Sequence, residues 1–394
     1  MEEFDFDKPI DRRGTGCIKW DALPAYYGRE DLLPLWIADM DFATPDCIRE
    51  AVRKRLEHPV LGYGFEHPDF RPAIVDWLKA RHGWDVEGEA ISFLPGIVRG
   101  IAYAVEYLLG PGEKLVVQPP VYPPFTHVPS ELGHAVVDNP LKETASGYEM
   151  DLEGLEQLLD ADPSCKAVLI SNPHNPGGIV WPKETLARLA EICFARKVIV
   201  FSDEIHCDLP LFGHRHVPFA TVSPEAASIC VTFGAASKTF NMAGLSSAFA
   251  VVPDPELRKR FHTPLCAGEF CFAPLFAEEA AVAAFRHGEP WRQAVIRYIE
   301  GNVDYVCAYV AEHLPRLRVV KPQASFLVWL DCRGLGLTAD ELKRWCEDEA
   351  HLALNAGDSF GKSGAGFMRL NVGTRRAVLE EVMARLERAS RRFN

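Results

Sequence analysis

The segment VIVFSDEIHCDL, residues 198–209, begins with the short apolar run VIVFS (198–202), which is followed by Asp203 and Glu204. Similar apolar runs lie on both sides of it, with helical stretches between several of them: LVVQ (115–118), AVLIS (167–171), ICVTF (229–233) and FAVV (249–252). Continuous apolar strands that alternate with helices are typical of a mostly parallel sheet covered by helices on both faces. The sequence therefore predicts an α/β core.

The pattern changes past residue 280. Long helical stretches are followed there by two apolar strands, SFLVWLD (325–331) and FMRLNV (367–372), and by a terminal helix rich in Arg and Glu. This change predicts a second, smaller α+β domain. We expect the large α/β domain to span residues 44–285, and the small domain to combine residues 1–43 with residues 286–394.

The composition is that of an ordinary folded protein and excludes several classes. The chain has 394 residues, 48% of them hydrophobic, and a formal net charge of −13. This charge offers no broad basic surface for nucleic acid. No apolar run approaches the roughly 18 residues needed to cross a bilayer, and the acidic amino terminus has no signal-peptide core. We therefore expect neither a nucleic acid nor a membrane partner.

The number and spacing of the cysteines indicate the redox environment of the protein. There are eleven, scattered from Cys17 to Cys346 without any CxxC pair. This pattern indicates neither a full disulfide framework nor a structural zinc site. A reducing cytoplasm is the predicted location.

Polar side chains follow three of the predicted strands. Asn172 and Asn175 follow AVLIS, Asp203 and His206 follow VIVFS, and Lys238 follows ICVTF. In open parallel sheets, ligands bind beyond the carboxyl ends of the strands, so we expect these side chains to share one edge. A ligand site is predicted there.

The types of residue at this edge suit pyridoxal phosphate. A lysine supplies the amine for a Schiff base, an aspartate keeps the ring nitrogen protonated, and an asparagine can donate to the ring oxygen. Each residue also has an ordinary interpretation: a lysine after a strand is usually solvated, an acidic pair often caps a helix, and NPHNPGG can be a series of turns. The individual residues leave both interpretations open.

A predicted helix amino terminus adds a phosphate site. FLPGIVRGIAYAVEYLLG (93–110) places Gly96 at the start of an apolar helix. The backbone amides of Ile97 and Val98 would point outward, and a helix amino terminus favours an anion. A buried helix after a Pro-Gly turn explains the segment equally well.

Six strings occur in a fixed order along nearly the whole chain: LPLWIADMDF (33–42), PVYPPF (120–125), SNPHNPGG (171–178), FSDEIHCDL (201–209), SKTFNMAGL (237–245) and MRLNVG (368–373). Jointly they resemble the fold type I pyridoxal phosphate enzymes of the class I/II aminotransferase superfamily. More narrowly, they are similar to its MalY/PatB branch, the cystathionine β-lyases. The resemblance implies the fold type I architecture and a homodimer with shared active sites.

The resemblance also implies roles for residues around the ring of the cofactor. Lys238 would be the catalytic residue and would form the Schiff base. Asp203 would pair with the pyridinium nitrogen, Asn175 would donate to the ring oxygen, and Tyr122 would stack on the ring face. His206 stands where many relatives have a tyrosine, and it is taken as a further cofactor contact.

Phosphate contacts are implied at a second set of residues. These are the amides at Gly96, Ile97 and Val98, with Ser237 as a weaker candidate. Tyr63 in GYGF (62–65) matches the tyrosine that reaches the cofactor phosphate of the neighbouring subunit. Ser246 stands where many relatives place a phosphate-binding arginine.

Substrate contacts are implied at three residues. Arg369 would pair with the α-carboxylate, where its planar fork gives two parallel hydrogen bonds. Asn175 and Ala38 would complete this part of the site.

The implied activity is β-elimination from S-substituted cysteines, most simply from L-cystathionine to homocysteine, pyruvate and ammonia. An aminotransferase of the same superfamily shares the early steps, because one lysine can serve both reactions. A regulatory protein that retains lyase activity is a third alternative.

Three further patterns are interpreted as structural. AGDSFGKS (356–363) satisfies a relaxed Walker A pattern, but the residues after it indicate a strand and not a helix. In GLGLTA (334–339), Thr338 and Glu341 form a predicted capping box. His214 and His216 lie near His206 and Cys207 in the sequence without any fixed ligand spacing, so no metal site is predicted.

Overall fold

The computed structural model describes residues 4–393, so the first three residues and the last residue of the predicted small domain lie outside the described part. Its strands are β1 (Leu33–Pro34), β2 (Ile91–Leu94), β3 (Lys114–Val117), β4 (Val136–Asp138), β5 (Lys142–Thr144), β6 (Gly147–Glu149), β7 (Cys165–Ser171), β8 (Ile199–Asp203), β9 (Cys230–Gly234), β10 (Ala248–Val251), β11 (Arg318–Val319), β12 (Leu327–Asp331), β13 (Leu352–Ala353), β14 (Asn355–Ala356) and β15 (Phe367–Asn371). Its α-helices are α1 (Ile18–Asp21), α2 (Leu23–Tyr27), α3 (Asp46–Leu56), α4 (Phe70–His82), α5 (Ile97–Leu108), α6 (Pro124–Glu131), α7 (Leu152–Ala161), α8 (Lys183–Ala195), α9 (Pro224–Ser228), α10 (Ala236–Thr239), α11 (Pro255–Ala267), α12 (Leu275–His287), α13 (Glu289–His313), α14 (Ala339–Arg344) and α15 (Arg376–Ser390).

Seven strands form the main sheet, in the order β2-β10-β9-β8-β7-β3-β4. Strand β10 is antiparallel to both of its neighbours, and every other pairing in this sheet is parallel. The predicted α/β core is confirmed. The sequence analysis missed β2 and β4, because β2 is four residues long and runs directly into a helix, and β4 is three residues long and only partly buried.

Both faces of the main sheet are covered, which explains why its strands are apolar throughout. In β7, Leu169 packs into the hydrophobic cluster that includes α5 and α11. Its neighbours Val168 and Ile170 point to the other face and pack into the cluster that includes α4, α8 and α12. Successive side chains of a strand alternate between faces, so a strand buried on both sides loses its polar alternation.

A second sheet lies in the carboxyl-terminal part of the chain. Its order is β11-β12-β15-β14, with antiparallel pairing throughout. Strand β1 pairs in parallel with β13, so a segment from the amino-terminal part packs beside this sheet. The division at residues 44 and 285 stays a prediction.

The glycines of AGDSFGKS serve packing. The segment forms two short 3₁₀ turns, Gly357–Phe360 and Lys362–Gly364, and leads into β15, as predicted. A Cβ placed on Gly357 would lie 2.1 Å from the carbonyl oxygen of Gly364. The predicted capping box at Thr338 and Glu341 is also present.

One local cross-link joins α11 to the loop after it. Cys266 and Cys271 are bonded, and four residues lie between them in the sequence. The sequence analysis predicted no disulfide framework and did not identify this pair, which has no CxxC spacing. Among the described residues, no helix is long and apolar enough to cross a membrane.

We expect Gly357→Ala to destabilise the protein by about 1–3 kcal/mol, because the new methyl group overlaps two carbonyl oxygens of neighbouring backbone. The measurement is the urea midpoint of unfolding. Ser363→Ala, at an exposed position of the same segment, is the matched control and should leave the midpoint unchanged. Equal midpoints for the two variants would contradict the packing role.

Candidate active site

The carboxyl ends of three parallel strands meet at one edge of the main sheet. Ser171 of β7 is level with Asp203 of β8, and Asp203 is level with Phe233 of β9. The loop after β7 carries Asn175, and the short helix α10 after β9 carries Lys238. The prediction that these loops lie at one edge of the sheet is therefore confirmed for the backbone.

These strand ends surround a cavity of about 330 Å³. Ten of the residues predicted for the site line it: Ala38, Gly96, Ile97, Val98, Tyr122, Asn175, Asp203, His206, Ser237 and Lys238. The roles that the resemblance implies for these residues remain predictions. Their presence around one cavity shows that the motifs converge in space.

Asp203 is the last residue of β8 and is buried. Its Oδ1 accepts a hydrogen bond of 3.1 Å from the backbone N–H of Ile205. Burial raises the pKa of Asp203 to about 7, although that hydrogen bond and the charge of Lys238 oppose the rise. A cation placed beside this carboxyl group would restore its ionised form.

Lys238 lies in α10 and points into the cavity. Its Nζ donates a hydrogen bond of 2.5 Å to the backbone carbonyl of Ala38. Burial lowers the pKa of Lys238 to about 8; Asp39 opposes this shift and Arg369 adds to it. The neutral form of this amine, which a nucleophile or a base requires, is therefore a minor fraction near neutral pH, but a far larger one than in an exposed lysine.

His206 is buried in the cavity wall, in the turn after β8. Within residues 4–393, neither of its ring nitrogens has a hydrogen-bond partner. Burial lowers the pKa of His206 to about 3, with the charges of Lys238 and Arg369 acting in the same direction. The ring is neutral and has one donor and one acceptor available for a ligand.

Arg369 lies in β15 of the second sheet, beside the cavity. It donates from Nη1 to Asn175 Oδ1 (3.1 Å), and from Nη2 to Trp36 O (3.0 Å) and Asn355 Oδ1 (2.7 Å). These acceptors are all neutral amide oxygens. Burial lowers the pKa of Arg369 to about 10, so a buried cation stands here without a carboxylate among its hydrogen-bond partners in the described chain.

The helix α5 begins at the cavity, as predicted. Gly96 is its N-cap with a φ of 143°, a conformation that favours glycine. Ile97 and Val98 lie in the first turn, where backbone amides have no partner within the helix. This helix terminus can hold an anion at the cavity wall.

Tyr122 and two serines complete the wall. Burial raises the pKa of the Tyr122 phenol, so this side chain is uncharged. Ser246 has a φ of 50°, in the left-handed region, and lines the cavity together with Ser247. Both serines lie beside the start of α5 in the same cavity wall, so they are further candidates for the anion site.

Tyr63 is the one predicted site residue that lies on an open surface. Its side chain is fully exposed, and it does not line the cavity. Val60, Leu61 and Phe65 on the same segment are exposed as well. The segment lies between α3 and α4 and presents apolar side chains to solvent.

The sequence analysis did not identify several residues of the site. Arg99, Ser171 and Ser247 line the cavity. Lys19 and Asn241 do not line it, but they hold the backbone around Ala38. A lysine between two apolar residues in CIKWD (17–21) was the available signal, since lysine is rarely buried without a partner.

One of the histidines considered as metal ligands, His216, has another partner. His216 Nε2 lies 2.7 Å from Glu204 Oε2, and Glu204 also accepts from Ser202 and from the N–H of Phe219. A separate group, His82, Cys207 and Asp208, lies within 4.8 Å in the described chain. Asp208 there accepts hydrogen bonds from Trp77 and His82.

Comparison with known proteins gives consistent results. The chain is 41% identical to cystathionine beta-lyase PatB of Bacillus subtilis over 98% of this chain and 99% of that one. It is 33% identical to protein MalY of Escherichia coli over the same shares. The structure of cystalysin from Treponema denticola, which contains pyridoxal 5'-phosphate, matches all of both chains with a TM-score of 0.95 and 29% identity.

The model of the aminotransferase class I and II family matches residues 30–386. The predicted fold type I architecture is confirmed by this match and by the structural likeness to cystalysin. The chain belongs to the class I and II aminotransferase family, in the branch that contains PatB and MalY.

Proposed function

We propose that this protein binds pyridoxal 5'-phosphate and catalyses β-elimination from S-substituted cysteines. L-Cystathionine and water would give homocysteine, pyruvate and ammonia. The observation that carries this proposal is the buried Lys238 amine. It shares one cavity with the buried Asp203 carboxyl group and with the neutral His206 imidazole, which has no hydrogen-bond partner in the described part of the chain. The name cystathionine beta-lyase, which PatB and a relative from Corynebacterium glutamicum carry, supports the choice of lyase over other reactions of the family.

The residues present fit the cofactor. Burial raises the pKa of the Asp203 carboxyl group, and a protonated ring nitrogen would supply the cation that favours its ionised form. His206 has two nitrogens without partners, and the ring substituents would satisfy them. The start of α5 offers amides to a phosphate, and Tyr122 offers an aromatic face.

When bound, pyridoxal phosphate supplies an aldehyde for condensation with amines and a ring that accepts electrons from Cα of an amino acid. Lys238 would hold this group through Nζ. When a substrate amine has displaced Nζ, the free amine would remove the proton from Cα, and the lowered pKa of Lys238 favours the unprotonated form that acts as the base. Asp203 would face the ring nitrogen and favour its protonated form.

Arg369 orients the substrate. A buried guanidinium whose partners are amide oxygens gains more from a carboxylate than a guanidinium already paired with one, because the carboxylate neutralises its charge. Asn175 Oδ1 accepts a hydrogen bond from Arg369 Nη1 and so fixes the orientation of the guanidinium group. The α-carboxylate of an amino acid is therefore the ligand that this side chain selects.

The active unit in this proposal is a homodimer. The exposed segment of Val60, Leu61, Tyr63 and Phe65 would pack against a second copy of the chain, and Tyr63 would reach the cofactor phosphate of that copy. Large exposed apolar side chains grouped in one segment mark an interaction surface.

The proposed location is the cytoplasm. Cys165, Cys193, Cys230, Cys332 and Cys346 are buried thiols without cross-links. Such thiols suit a reducing compartment.

Lys238→Ala should lose nearly all turnover, because it removes the covalent attachment and a base worth about 10²- to 10⁴-fold in rate. The assay follows pyruvate and thiol release from L-cystathionine with no keto acid present. The wild type should release both, and a requirement for added keto acid would instead indicate transamination. Near-normal turnover by Lys238→Ala, with its melting temperature unchanged, would contradict the assignment.

The Lys238 amine of the cofactor-free protein should react with acetic anhydride at lower pH than an exposed lysine. Only the neutral amine reacts, so a pKa lowered by burial to about 8 makes the rate rise through about pH 8. Exposed lysines should follow a curve centred near pH 10.4. Peptide mass spectrometry measures the acetylation of Lys238 and of the exposed lysines in one sample. A single curve shared by Lys238 and the exposed lysines would refute the predicted shift.

Arg369→Lys should raise KM about 10- to 100-fold with a smaller effect on kcat, because a lysine cannot give the two parallel hydrogen bonds of a guanidinium. Steady-state kinetics on L-cystathionine are the measurement. Arg333→Lys is the control, since Arg333 is an exposed arginine near the same sheet that pairs with Asp331 and Glu143. A KM that rises equally in both variants would argue against a carboxylate contact.

A further inference from the structure

A short backbone segment beside the cavity contacts both Lys238 and Arg369, the two residues that matter most to the proposed reaction. Residues 36–42, here called the strap, run from β1 toward α3. The carbonyl of Ala38 accepts from Lys238 Nζ, and the carbonyl of Trp36 accepts from Arg369 Nη2. The base and the carboxylate-binding group therefore contact the same strap, two residues apart.

Two asparagines hold the strap from the elements that carry these groups. Asn241 lies three residues after Lys238; it accepts from the N–H of Met40 and donates to the carbonyls of Met40 and Phe42. Asn371 lies two residues after Arg369 and donates to the carbonyls of Ile37 and Asp39, at 2.7 Å and 2.6 Å. The strap is thus fixed to both sides of the cavity.

The other side of the strap is held by a balanced cluster of four charges. Lys19 Nζ lies 3.0 Å from carboxylate oxygens of both Asp39 and Asp41, and it donates to the carbonyl of Asp39 at 2.8 Å. Arg12 pairs with the same two carboxylates and also donates to the carbonyl of Met40. Lys19 is 1% exposed and its three partners are partly buried, so the cluster is less solvated than a surface ion pair.

Such a cluster holds backbone more firmly than a surface ion pair. Lys19 and Arg12 each bind a carboxylate and a neighbouring carbonyl, so charge and backbone geometry are fixed by the same side chains. The carbonyl that accepts from Lys238 belongs to the residue directly before Asp39. The cluster holds the side chain and the carbonyl of Asp39, and so it fixes the end of the planar Ala38–Asp39 peptide unit to which the Ala38 carbonyl belongs.

We infer that Lys19 is a positioning residue, which acts with Arg12, Asp39 and Asp41 to set the Ala38 carbonyl that orients the free Lys238 amine. The inference rests on the proposed function, because the amine is free only when a substrate has displaced it. The Ala38 carbonyl then keeps Nζ directed at one place, and the cluster keeps the carbonyl there. Lys19 touches neither substrate nor cofactor in this scheme.

The cluster also has an electrostatic effect on the amine. Lys238 is surrounded by Asp39, Asp203, Tyr122, His206, Arg369 and, at longer range, Lys19. Burial lowers the pKa of Lys238 most, Asp39 raises it, and Lys19 lowers it. Removal of the Lys19 charge leaves the carboxylates less compensated, so the pKa of Lys238 should rise.

The test compares Lys19→Met with Lys19→Arg. The first readout is acetic anhydride labelling of Lys238 in the cofactor-free protein, and the second is kcat and KM on L-cystathionine. Lys19→Met should move the Lys238 labelling curve to higher pH and lower kcat on the order of tenfold or more, while KM changes little. Lys19→Arg keeps the charge, so its labelling curve and its kcat should both lie close to the wild-type values.

Two further variants separate this role from simple destabilisation. Arg12→Gln removes the more accessible cation of the cluster and should lower kcat in the same direction even if Lys19→Met folds poorly. Lys114→Met breaks the ion pair of Lys114 with Asp162 and should leave the labelling curve and kcat unchanged.

A labelling curve and a kcat that stay at wild-type values in both Lys19→Met and Arg12→Gln would overturn the inference, even with a lower melting temperature. Failure of the proposed function is recognised separately, because a wild-type protein without lyase activity would still show the labelling shift.

Discussion

The site depends on the removal of two ionisable groups from water at the same edge of one sheet. Burial makes the carboxyl group of Asp203 harder to ionise and the amine of Lys238 easier to deprotonate. The pKa values of both groups are therefore brought close to neutral pH in the absence of a ligand. A cationic aromatic ring beside them would favour the ionised form of Asp203 and the neutral form of Lys238, which are the two forms that the proposed chemistry needs.

The burial of a third ionisable group, the guanidinium of Arg369, depends on the packing of the second sheet against the first. Arg369 comes from β15, and its partners come from the loop after β7, from the strap and from β14. None of these segments alone could bury a guanidinium, because each offers only one acceptor. The buried guanidinium that we propose to bind the substrate carboxylate therefore depends on the packing of both sheets, and the two parts of the chain share one site.

Much of this arrangement was predictable from the sequence because it is local. Polar residues directly after apolar strands identified Asp203, Asn175 and Lys238, and the helix after Gly96 followed from its apolar periodicity. The antiparallel direction of β10 was not predictable, because the apolar pattern of a strand carries no direction. The partners of Lys19 lie about 20 residues away and meet it only through the fold.

The arrangement around Lys238 also bears on the choice between elimination and transfer. Both reactions begin with removal of the Cα proton by the same amine, but transfer requires that amine to deliver the proton to a different carbon atom. In this chain the amine donates to a carbonyl whose position is fixed by two asparagines and four charged side chains. An amine held at one place suits a reaction that asks for proton removal followed by departure of a leaving group. A fixed Ala38 carbonyl therefore serves the proton removal that both reactions share, and the choice of elimination rests on the relatives that are named cystathionine beta-lyase.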